Sequence, residues 1–183
     1  MTSFLIKAHV DRPASVWGSN LTSDENCTFC KIIERSVDAA VVYETDRVIA
    51  ILDILPLRPG HTLVIPKTHC SRVSELPAEY ARAVGEAVSV VAKALTEALE
   101  NTGLNVVCNQ EYAQAVPHVR RPLPCHTGTN ICVVGPSPFP PKPEPAGGDP
   151  PSQRAMHRME FESRSELDDD DAAVLVRKIR SKL

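Results

Sequence analysis

Four residues in this chain have the types and grouping that hold a metal ion. Cys27-Thr28-Phe29-Cys30 offers two thiolates at a spacing that lets both reach one ion. His69 follows one predicted strand and His118 another, and a sheet folded back on itself would carry both imidazoles to the thiolates. Two sulfurs and two nitrogens would close a tetrahedron, the arrangement of a structural zinc site. The plain alternative is a pair of buried thiols without metal, because the histidines are distant in sequence. The remaining histidines carry weaker chemistry. His61 opens a strand and reads as structural, while His9 and His157 fall in poorly patterned stretches and read as solvated. His126, beside Pro124 and Cys125, reads as an exposed loop residue, with catalysis the lesser alternative.

Six cysteines lie at positions 27, 30, 70, 108, 125 and 132. The first residues, Met1-Thr2-Ser3-Phe4-Leu5-Ile6-Lys7, lack a basic segment followed by a long apolar one. The expectation is therefore an unsecreted protein, cytoplasmic or nuclear. In that reducing setting a Cys-x-x-Cys pair reads as metal or redox chemistry rather than a disulfide.

The elements that must position these residues are legible as an α+β pattern. Ala39-Ala40-Val41-Val42-Tyr43 and Val48-Ile49-Ala50-Ile51-Leu52-Asp53 are β-rich runs joined across Glu44-Thr45-Asp46, too short a gap for a crossover helix, so they predict an antiparallel hairpin. Pro56, Pro59 and Gly60 break the chain before a third strand, His61-Thr62-Leu63-Val64-Ile65, closed by Pro66. From about Pro77 to Asn101, apolar residues at Tyr80, Val84, Val88, Val91, Leu95 and Leu99 recur on one helical face. Pro77 suits the first turn and Gly103 the stop. Leu104 to Cys108 predicts a fourth strand, and Ile131-Cys132-Val133-Val134 a short further one. A C-terminal helix is expected after Glu166: Asp168 to Asp171 stand at its start and Arg177, Lys178, Arg180 and Lys182 at its end, matching the helix dipole. A charged tail without structure is the alternative.

Composition bounds the function. The chain has 183 residues, 43% hydrophobic and 23% charged, with a formal net charge of −3, which argues against nucleic-acid binding driven by bulk charge. No apolar run approaches the roughly 20 residues that cross a bilayer, so no membrane partner is expected. Ten of the 16 prolines fall between Pro122 and Pro151. The expected organisation is an N-terminal extension over 1–26, a compact domain over 27–119, a proline-rich irregular segment over 120–165 and the possible helix over 166–183. Residues 135–155 within that segment read as a polyproline or disordered linker.

Three segments in order then resemble one family. Cys27-Thr28-Phe29-Cys30-Lys31-Ile32-Ile33 looks like the opening of histidine triad (HIT) proteins, especially the Hint-like branch. Ile51-Leu52-Asp53-Ile54-Leu55-Pro56 followed by Gly60-His61-Thr62-Leu63-Val64-Ile65-Pro66-Lys67-Thr68-His69 resembles its middle segment. Asn105 to Gln110 and Gln114-Ala115-Val116-Pro117-His118-Val119 resemble the approach to its active site. Glu166 to Leu183 looks like the terminal helix of some longer members, which favours helix over tail. The resemblance implies a HIT-like antiparallel sheet with one long helix, usually a homodimer whose sheets join. It implies purine-nucleotide binding and cleavage at the α-phosphate through His-x-His-x-His, the middle histidine forming a nucleotidyl intermediate. It also implies Cys27, Cys30, His69 and His118 as four ligands of a structural zinc. Phe29 and Ile32 would form part of a base-binding wall, Asp53 would accept ribose hydroxyls with Ile54 beside it, and Asn109 and Gln114 would lie near phosphate. As ordinary residues these are core side chains, a strand-end cap and a turn residue. The loop from Asn109 to His118 is shorter than the common family form and lacks its glycine.

The resemblance breaks after its first triad histidine. Arg120 occupies the nucleophile position and Pro122 that of the third histidine. An arginine stays protonated and cannot attack phosphorus. Pro122 lacks an N–H and would disrupt the final strand. His118 is a poor substitute if zinc occupies its lone pair, whereas Arg120 and Arg121 could attract phosphate. The expectation is a nucleotide-binding relative of nucleoside phosphoramidate and nucleotide hydrolases with no intact catalytic triad. The alternatives are a non-catalytic zinc-stabilised nucleotide-binding or scaffold protein, and a splice or gene-model variant of an active hydrolase. A further alternative places function in Pro138-Phe139-Pro140-Pro141, which fits a minimal P-x-x-P ligand.

Overall fold

The computed structural model describes residues 27–70, 72–108, 131–134 and 164–183. The candidate residues Asn109, Gln114, His118, Arg120, Pro122 and His126, the N-terminal extension and the proline-rich linker lie outside the described residues. In chain order the elements are α1 (Thr28–Ile33), β1 (Val41–Glu44), β2 (Val48–Leu52), β3 (Thr62–Pro66), a 3₁₀ turn (Val73–Glu75), α2 (Ala78–Ala98), β4 (Asn105–Cys108), β5 (Ile131–Val134) and α3 (Asp169–Arg180).

The strands form one antiparallel sheet in the order β1-β2-β3-β5-β4. The predicted hairpin pairs Val41 with Ile51 and Glu44 with Ile49, and β2 pairs β3 from Val48–Pro66 to Leu52–Thr62. β5 lies between β3 and β4, with Val133 opposite Thr62 on one side and Val106 on the other. The place next to β3 is therefore filled by a segment that begins at Ile131, downstream of Pro122 and Pro124.

Every residue of β2 and β3 is buried, because both faces of the sheet are covered. Side chains alternate between faces along a strand, and the two cores divide accordingly. Val48, Ala50, Leu52, Val64 and Val133 pack with Val84, Ala87, Val91, Ala94, Leu95 and Ala98 of α2 and with Ala172 and Ile179 of α3. Ile49, Ile51, Leu63 and Ile65 pack with Cys27, Phe29, Cys30 and Ile32.

α2 buries a face that differs from the predicted stripe in one respect. Ala87, Ala94 and Ala98 join Val84, Val91 and Leu95, whereas Tyr80, Val88 and Leu99 are only half-buried. Small side chains between larger ones let the helix settle onto the sheet. The helix also stops before Gly103. Glu100 itself takes the left-handed conformation at φ 54°, and the Asn101 N–H donates to Thr96 O at 3.0 Å. That closing bond ends the helix without the glycine.

α3 lies within the stretch where a terminal helix is expected. The Asp168 carboxylate accepts from the Asp170 N–H at 2.9 Å, a capping bond at the end where the dipole favours negative charge. The segment ahead of it reaches the loop after β2, where the Leu167 N–H donates to Ile54 O at 2.9 Å. None of the described helices is long and apolar enough to cross a membrane.

Candidate functional site

The Cys-x-x-Cys segment is not a loop but the start of α1, an element that its short length concealed in the sequence. Cys27 is the extended residue before the first turn, and its carbonyl accepts from the Lys31 N–H at 3.0 Å. One turn separates Cys27 from Cys30, so both sulfurs fall on the side that faces the sheet. Arg35 ends the segment in the left-handed region at φ 63°. His69 stands just past β3, two residues beyond Lys67, whose N–H donates to Arg47 O at 2.8 Å.

These two segments meet. Donor atoms of Cys27, Cys30 and His69 all lie within 4.8 Å of one another, and all three residues are buried. Cys30 Sγ lies 3.2 Å from His69 Nδ1. Tetrahedral bonds of about 2.0–2.3 Å set neighbouring donors roughly 3.5–3.8 Å apart, so one zinc-sized ion fits the group. The chemistry of the donors agrees. Burial pushes the Cys27 thiol up to about 12, a push that the Cys30 and Phe29 backbone N–H groups only partly offset. Without a cation the buried Cys27 thiol stays neutral, and a bound divalent ion supplies the charge that stabilises a thiolate.

The residues expected around a nucleotide are placed less uniformly. Phe29 and Ile32 are buried in the core cluster on the α1 face of the sheet. Asp53 follows β2 and is 7% exposed, whereas Ile54 beside it is 66% exposed. Asp53 Oδ1 accepts from the Leu55 N–H at 3.0 Å, and Oδ2 lies 3.2 Å from His61 Nδ1. Each carboxylate oxygen retains a lone pair for a further donor.

His61 is thus more than the residue that opens a strand: it fixes the orientation of Asp53. The Leu57 N–H lies 3.3 Å from the same Nδ1, but a nitrogen facing a carboxylate is best a donor. Nε2 has no hydrogen-bond partner among the described residues. Burial lowers the His61 pKa below the ordinary imidazole range; Asp53 opposes that shift and Arg164 adds to it. No periodicity signals this pairing, because it is made by a loop that closes through the Asp53 N–H bond to His61 O at 2.9 Å.

Comparison with known proteins agrees with the geometry. The family model described as the HIT domain matches residues 34–120. The protein named hit of Bacillus subtilis (strain 168) is 45% identical over 96 residues, which cover 51% of this chain and 66% of that relative. The chain thus spans just under two thirds of that relative's length. A purine nucleoside phosphoramidase of Escherichia coli (strain K12) is 34% identical over 102 residues, covering 54% of this chain and 86% of the relative. Among solved structures, a zinc-bound histidine triad family protein from Mycobacterium smegmatis matches with a TM-score of 0.59 at 27% identity, covering 85% of this chain and 91% of that one. Fold, order of segments and sequence identity converge, and the chain belongs to the histidine triad (HIT) family.

Proposed function

We propose that this chain is a zinc-stabilised, purine-nucleotide-binding HIT protein, related to hydrolases that act at the α-phosphate but without their nucleophile. The convergence of Cys27, Cys30 and His69 carries the reading. His118 would be the fourth ligand. Zinc held there would act as a structural cross-link between α1, the end of β3 and the chain after β4. The zinc in the mycobacterial relative and the purine substrate in the bacterial relative's name support the same reading.

This chain's own residues would bind rather than react. Asp53 would accept ribose hydroxyls, with Ile54, Phe29 and Ile32 towards the base and Asn109 and Gln114 towards phosphate. Arg120 and Arg121 would attract the phosphate charge. Attack at phosphorus needs an accessible imidazole. The described histidines, His61 and His69, are both buried, and β5 carries none. Incubation of the purified chain with an adenosine phosphoramidate tests this. The expected result is saturable adenosine monophosphate binding with no turnover. Clear turnover would defeat the missing nucleophile, and its loss in His126→Ala would assign that role to His126.

A second reading is favoured by where the family match stops. It ends at residue 120, yet α3 rejoins the core far downstream. An alternative transcript carrying residues 120–141 in place of the triad would produce this chain. Sequencing mature transcripts across residues 116–145 decides it: if every message encodes this stretch, the reading is wrong.

A further inference from the structure

The three described metal donors ride on two segments, and one carboxylate ties those segments together. Cys27 and Cys30 belong to α1, while His69 follows β3. Glu44 is the last residue of β1 and lies between them in the network of contacts. Arg35, just beyond α1, donates from Nη2 to Glu44 Oε2. Lys67, just beyond β3, places Nζ 2.8 Å from Glu44 Oε1. Each oxygen thus holds one segment. The Lys67 ammonium, ahead of the Arg35 guanidinium, keeps the Glu44 carboxyl below its ordinary range despite partial burial.

We propose that Glu44 is a positioning residue for the metal ligands: its two oxygens hold α1 and the segment after β3 in the register at which Cys27, Cys30 and His69 meet one ion. The proposal rests on the zinc reading above. A lone surface pair does little, because two long side chains must be ordered for a screened attraction. Here one carboxylate serves two cations, and the Lys67 side chain is only 20% exposed. The Lys93–Glu97 pair is also exposed, but it lies within α2 and joins neither segment. It provides the matched control.

The experiment uses the full zinc-loaded chain and follows metal release to an excess of a chromophoric chelator. Glu44→Gln is expected to release zinc about three- to tenfold faster than wild type, at or below the lower end of what residues hydrogen-bonded directly to metal ligands contribute. Added salt should speed wild-type release towards the variant rate and change the variant little. Glu97→Gln should release zinc at the wild-type rate. Equal release from wild type and Glu44→Gln, with one zinc per chain, overturns the positioning role and leaves the zinc reading intact. So does a lower melting temperature of the metal-free variant with unchanged release, which marks Glu44 as a stabiliser only. Wild type that holds no zinc overturns both. Should Glu44→Gln fail to fold, Arg35→Gln cuts only the arm to α1 and carries the same expectation.

Discussion

Cys27 and His69 are buried polar side chains whose surroundings suit a metal better than its absence. Replacing either should therefore remove more than one contact. Cys27→Ser or His69→Ala is expected to drop zinc from about one per chain to a small residue, and to lower the melting temperature by about 5 °C or more. Elemental analysis beside calorimetry checks both, and a metal-free native protein of unchanged stability defeats the site. His61 makes a different prediction. Burial lowers its pKa, so on acidification the unfolded chain takes up a proton near pH 6.5 that the folded chain resists. Its contribution to stability is whole above that pH and is lost as the pH falls below it. Urea melts at about pH 7.5 and about pH 5.5 should show wild type losing stability on acidification, and His61→Asn losing less. An equal loss in both would place the acid sensitivity elsewhere.

At the scale of elements, α3 is the sharpest case. Ile179 is fully buried in the cluster that holds Val91, Leu95 and Val133, so the terminal helix belongs to the core rather than to a tail. Ile179→Ala should cost about 2–5 kcal/mol, read from a urea midpoint, because the cavity opens among packed side chains. A loss under about 0.5 kcal/mol, the range of ordinary surface substitutions, would free the helix from the core. Much of this level was legible in the sequence. The hairpin, β3, α2 and the charge order of α3 follow from short β-rich runs, helical spacing and the dipole. The Cys-x-x-Cys pair and His69 were also legible as donors. Three features were not. α1 is six residues long, too short for periodicity to register. Ala87, Ala94 and Ala98 look neutral in a hydrophobic stripe, yet their small size makes them the contact surface with the sheet. The Asp53–His61 pair is made by loop closure, and no local pattern encodes it.

At the scale of the whole molecule, the described sheet has two end strands, β1 and β4. All four residues of β4 are exposed, with Val106 at 47% and Val107 at 44%. Consecutive valines point to opposite faces, so apolar surface lies on both sides of an edge whose outer backbone groups lack a strand partner within the described sheet. A solitary chain would leave this edge as a template for unwanted pairing. A second copy meeting it strand to strand would cover the valines and continue the sheet across a twofold axis. The expected solution state is therefore a dimer through β4, measured as twice the chain mass by sedimentation. Val106→Lys with Val107→Lys places charge on both faces of the edge and should shift the species to monomer, with the far-UV circular dichroism retained. Wild type that sediments as a monomer would sink this assignment. A double variant that stays dimeric would move the interface away from β4, because two lysines per strand set four like charges against one another across the joined edge.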